Sequence, residues 1–131
     1  MHKISPVRRT LSIAALLALA ATQTMAATVA SPDGRIVVSI DVSEDGRPGY
    51  AVSFDEEEIV RPSVLGLVFR GGPNLDTGLS IVDESTASSD TTWEQPWGER
   101  RIVRDQYNEL LVTFAASEPA RRFAVRFRVH N

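Results

Sequence analysis

The 131-residue chain has no cysteine, two histidines and one lysine, Lys3. Without thiols it can build neither a disulfide framework nor a thiolate metal site, and no cysteine is available for lipid modification near the N-terminus; an oxidising compartment remains compatible. With His2 in the leading segment and His130 beside the last residue, a transition-metal centre lacks ligands and serine–histidine catalysis lacks a placed base. His130 reads as a solvated terminal residue. Aromatics are scarce at 7%, and no helix-period apolar stripe of useful length occurs beyond the first 26 residues.

Long hydrophobic runs are short as well. Leu11–Ala21 is apolar but falls below the roughly 20 residues of a spanning helix, and it follows the basic residues His2, Lys3, Arg8 and Arg9. Thr24-Met25-Ala26 then offers a small-x-small cleavage site. Residues 1–26 therefore read as a signal peptide, with a mature chain from about Ala27 that meets a membrane only during export. An uncleaved anchor is the competing reading, and Arg8-Arg9 fits the twin-arginine pattern poorly. The expected location is periplasmic or secreted.

Removing Lys3, Arg8 and Arg9 leaves eleven bases, all arginine, against seventeen acids, a formal charge of −6. A general nucleic-acid or anionic-membrane binder would carry the opposite balance. About a hundred residues then remain, enough for one modest domain.

Period-2 alternation dominates those residues. Ile36, Val38, Ile40 and Val42 share one face, Asp45-Gly46-Arg47-Pro48 supplies a turn, and Tyr50, Val52 and Phe54 resume the alternation. Asp55-Glu56-Glu57-Glu58 reads as a solvated turn, since adjacent carboxylates without histidine or ligand spacing resemble no metal motif. Leu65-Gly66-Leu67-Val68-Phe69 is apolar on both faces and is predicted to be a central strand covered on both sides. Gly71-Gly72-Pro73-Asn74 ends it; the glycine pair lacks the fingerprint of a nucleotide loop. Weaker strands follow over Leu79–Ser89 and Ile102–Asp105. Leu110, Val112 and Phe114 mark another, and Phe123, Val125, Phe127 and Val129 face inward from a last one. Ile36, Val38, Ile40, Tyr50, Val52, Leu67, Leu110, Val112, Phe123, Val125 and Phe127 are expected in one apolar layer.

Both tryptophans, Trp93 and Trp97, fall in Thr92-Trp93-Glu94-Gln95-Pro96-Trp97-Gly98-Glu99-Arg100, read as a non-periodic loop between strands. Aromatics concentrated in a loop point to recognition or docking. For a ligand bound at this segment, Glu99 or Glu109 would accept hydrogen bonds and Trp93 or Trp97 would supply a stacking face. The blander reading, which outweighs it, has Trp97-Gly98-Glu99 and Tyr107-Asn108-Glu109 fixing the loop and holding an interdomain contact.

The order Thr-Trp-x-x-x-Trp-Gly-Glu, a short basic strand, then Tyr107-Asn108-Glu109-Leu110 resembles the N-terminal β-domain of glycoside hydrolase family 97, bacterial α-glucosidases and α-galactosidases. The likeness extends from Ser31-Pro32-Asp33-Gly34 through Leu65-Gly66-Leu67 to Phe123–Val129. It implies an all-β, antiparallel β-sandwich over residues 27–131, part of a galactose-mutarotase-like super-sandwich that in the family precedes a catalytic (β/α)₈ barrel. Glycoside hydrolysis needs two carboxyl groups across the scissile bond, and the family's lie on that barrel. Its calcium is held by glutamates mainly there, with one from a later part of the N-terminal domain; none of these positions matches a residue here. The resemblance thus implies a partial domain, a truncated product without catalytic residues or a cofactor of its own, expected to be inactive alone and to meet carbohydrate through the barrel. A free-standing periplasmic sandwich binding glycans or a protein is the alternative.

Overall fold

The computed structural model describes residues 26–118 and 120–131. The expected signal peptide lies outside the described residues except for Ala26. Seven strands run in order: β1 Ala27–Ala30, β2 Ile36–Val42, β3 Pro48–Phe54, β4 Glu57–Val64, β5 Ser80–Glu94, β6 Ile102–Ala116 and β7 Arg121–His130. β1-β2-β3-β4 form one sheet and β5-β6-β7 a second, with every pairing antiparallel. No helix occurs among the described residues.

The two sheets pack into a β-sandwich through the alternating rows read from the sequence. Val38, Ile40, Leu110, Val112, Phe114 and Val129 are buried, and Ile36, Val42, Tyr50, Val52, Phe123, Val125 and Phe127 pack against them. Phe114 and Phe123 stack with centroids 5.1 Å apart. Because side chains alternate across a strand, one register unites these rows and a one-residue slip would expose all of them.

Three sequence expectations about the strands are corrected. Leu65–Phe69 is not a central strand: only Leu67 makes a bridge, to Leu75, and Leu67, Val68 and Phe69 are 47%, 76% and 48% exposed. Leu67 therefore leaves the apolar layer, and Leu75 and Leu79 are buried instead. The run was misassigned because apolar composition on both faces can mark a covered strand or a loop lying over a sheet end. Second, Glu57–Val64 is a strand, so the acidic turn is only Asp55-Glu56, with both residues at positive φ of 48° and 69°. Pro62 sits on this edge strand, where a missing N–H costs no ladder bond.

Third, the weak run from Leu79 is a strand that starts at Ser80 and continues to Glu94, and Ile102–Asp105 joins the run around Leu110 as one 15-residue strand. Polar Ser and Thr residues on β5 hid its length from a hydrophobic reading. Ala27–Ala30, for which the sequence offered no strand reading, forms β1 and pairs with Val37–Ile40; four residues are too few to show a period.

Candidate functional site

β7 pairs with β6 only from Tyr107 to Ala116. Beyond Tyr107, Ile102–Gln106 pairs with Asp90–Glu94 alone, so five residue pairs, about 17 Å at the usual strand rise, form a two-stranded arm. Trp93 belongs to this arm, opposite Val103, and not to a loop. The tip is the turn from Gln95 to Arg101, closed by the Gln95 N–H donating to the Arg101 carbonyl at 2.7 Å. Gly98 adopts φ 121°, where a Cβ would run into the Gln95 side chain. Only glycine suits that position.

Isolated two-stranded ribbons are marginal in water, and cross-strand ion pairs brace this one. Arg104 donates Nε and Nη2 to the Asp90 carboxylate at 2.7 and 2.6 Å. The guanidinium beside it holds the Asp90 carboxyl below its ordinary range, mainly through that hydrogen bond. Arg101 reaches Glu94 at 3.3 Å nearer the tip. The arm carries uncovered apolar surface, with Trp93 51%, Trp97 78% and Ile102 63% exposed.

The six residues singled out from the sequence do not form one cluster. Trp97 and Glu99 lie on the exposed tip. Trp93, Tyr107 and Glu109 share the outer face of the β5–β6 ribbon, but Trp93 is aligned with Val103, four residues from Tyr107 along β6, about 13 Å. Asn108 points the other way, toward the sandwich interior, and its Nδ2 donates to the Ala30 carbonyl at 2.9 Å. It ties β6 to β1.

On the outer face Glu109 receives Arg128 Nε at 2.7 Å and Arg126 Nε at 3.4 Å, with its side chain only 16% exposed. The Arg128 guanidinium also lies 4.8 Å from the Tyr107 ring centroid, and His130 contacts that ring and Asp105. Glu109 is thus committed to two arginines, and its acceptor positions are largely taken. The sequence reading missed these arginines as its partners, though their outward alternation on β7 was visible. Among the described residues no group of three or more His, Cys, Asp or Glu side chains could hold a metal ion.

The family model for the glycosyl-hydrolase 97 N-terminal domain matches residues 29–131. Among solved structures, a Glycoside Hydrolase Family 97 enzyme from Pseudoalteromonas sp. strain K8 in complex with panose is 39% identical over 80% of this chain, with a TM-score of 0.75. The same enzyme in complex with acarbose matches equally. A β-arabinopyranosidase is 25% identical over 79% of this chain, with a TM-score of 0.71. The chain spans 16% of the length of each of these proteins.

Proposed function

Because the chain belongs to the glycosyl-hydrolase 97 N-terminal family, we propose that residues 27–131 are a non-catalytic, carbohydrate-binding-type part of an exported family 97 glycoside hydrolase acting on α-glucosides or α-galactosides, made with a signal peptide at 1–26. In this reading the sandwich shapes or docks against a catalytic barrel outside these 131 residues, and that barrel supplies the reacting carboxylates and the calcium site.

The observation that carries it is the braced arm. An exposed two-stranded ribbon would normally fray and avoid apolar tips, yet this one is held by Arg104–Asp90 and presents Trp93, Trp97 and Ile102 to its surroundings. A large indole with one N–H suits a contact that is apolar on one side and polar on the other. Panose and acarbose in the relatives' complexes support a sugar-directed role.

The test uses the intact parent enzyme. Trp93→Ala and Trp97→Ala are expected to lower kcat/KM or the melting temperature more than Glu58→Ala, an exposed position on β4. Tryptophan variants indistinguishable from wild type in both readouts would sink the reading.

A further inference from the structure

The inner face of the β5–β6 ribbon changes character along its length. Phe114, Val112 and Leu110 are buried, but the same row continues as Asn108, Gln106 and Arg104, opposite Ser88, Asp90 and Thr92 of β5. Here the ribbon lines two open hollows that share Ser88 and Asn108. The first, about 400 Å³, lies between β1 (Thr28–Ala30) and Thr86–Ser88 with Asn108–Glu109. The second, about 290 Å³, runs on beside Pro32, Asp90 and Gln106–Tyr107. Together they form one groove of the size range of small-ligand sites.

The chemistry of its wall is specific. Among the described residues its charged lining residues are already committed: Asp90 to Nε and Nη2 of Arg104, and Glu109 to Arg126 and Arg128. What remains is neutral. Thr86 and Ser88 offer hydroxyls that make no side-chain bond within the described fold, Gln106 has only a 3.5 Å contact from Asn131, and Asn108 keeps its carbonyl oxygen free after donating to Ala30. A neutral surface of paired donors and acceptors recognises a ligand that is itself uncharged and carries many hydroxyls, because an ionic ligand would lose hydration without gaining a counter-charge.

We propose that this groove between β1 and the β5–β6 ribbon binds a neutral oligosaccharide, at a site separate from the tryptophan tip. The choice of sugar as ligand rests in part on the carbohydrate role proposed above, but the location does not.

Maltotriose titrated into this chain, followed by amide chemical shifts, is expected to perturb Thr28, Thr86, Ser88, Gln106 and Asn108. Ser88→Trp fills the groove from an exposed position and should abolish the response. Thr86→Val, which removes one hydroxyl at nearly constant shape, should weaken it about threefold to tenfold, the range for one neutral hydrogen bond. Trp97→Ala should leave it unchanged. Trigalacturonate, of similar size but anionic, should bind more weakly. Absence of maltotriose shifts in the folded chain, equal binding of trigalacturonate, or retention of binding by Ser88→Trp would each overturn the proposal. Loss of binding with Trp97→Ala would move the site to the tip and leave the docking experiment on the parent enzyme to be judged separately.

Discussion

Arg104 grips Asp90 through both Nε and Nη2 across the free part of the β5–β6 hairpin, two residues out of direct register and on the same face. Fork-on-carboxylate geometry fixes orientation as well as distance, so this pair sets how the Trp93 and Trp97 end of the ribbon is presented. The same grip removes the Asp90 charge from the neighbouring groove.

Acid should loosen the arm first. Arg104 lowers the Asp90 carboxyl and Arg35 lowers that of Asp55, in each case chiefly by direct hydrogen bonding. A depressed folded-state pKa gives stability that is present above the unfolded value of about 3.9 and is lost as pH falls through the folded one. Amide protection factors, corrected for the intrinsic exchange rate at each pH and measured down from pH 5, are expected to fall in Asp90–Glu94 and Ile102–Gln106 before the β2–β3 core opens. Arg104→Gln should remove most of that pH dependence in the arm. A uniform loss of protection in both regions would contradict the local origin.

The core row on β6 carries the sandwich. Phe114 and Ile40 are fully buried from opposite sheets, so Phe114→Ala should cost about 3–5 kcal/mol and Ile40→Ala about 2–5 kcal/mol in chemical denaturation. Trp97→Ala, at 78% exposure, should fall within about 0.5 kcal/mol of wild type in the same chain. A Trp97 loss as large as that of Phe114 would mean that the tip is buried in solution.

The β3–β4 turn stores strain. Asp55 and Glu56 both hold positive φ, and Asp55 is kept there by its N–H to the Arg35 carbonyl and by the Arg35 guanidinium at 2.6 and 2.9 Å. Glu56 has no such partner among the described residues. Glu56→Gly is expected to raise stability by roughly 0.5–1 kcal/mol, since glycine accepts this backbone without a Cβ clash. Asp55→Ala should act in the opposite direction. A destabilised Glu56→Gly variant would show that the carboxylate, and not the backbone, matters there.

The proposed signal peptide at residues 1–26 gives a direct test of export. Intact-mass measurement on periplasmic material is expected to find a chain starting at or near Ala27, and recovery of only Met1-containing protein in membranes would overturn this.

Much of the fold was legible because period 2 is a local property. Rows such as Ile36-Val38-Ile40 and Phe123-Val125-Phe127-Val129 state their inward face without reference to any partner, and the Trp-x-x-x-Trp-Gly-Glu order was enough to point to the family. Tertiary structure decided whatever depended on a neighbour. Leu65–Phe69 carries the composition of a buried strand and lies exposed, while Ser80–Glu94 carries little apolar signal and is among the two longest strands. Pairing supplied by β6 overrides weak local preference on β5. Tyr107, Asn108 and Glu109 are consecutive in sequence, yet alternation sends Asn108 to β1 and Glu109 to Arg126 and Arg128. Their partners lie between 17 and 78 residues away, a separation at which composition and spacing carry no information about contact.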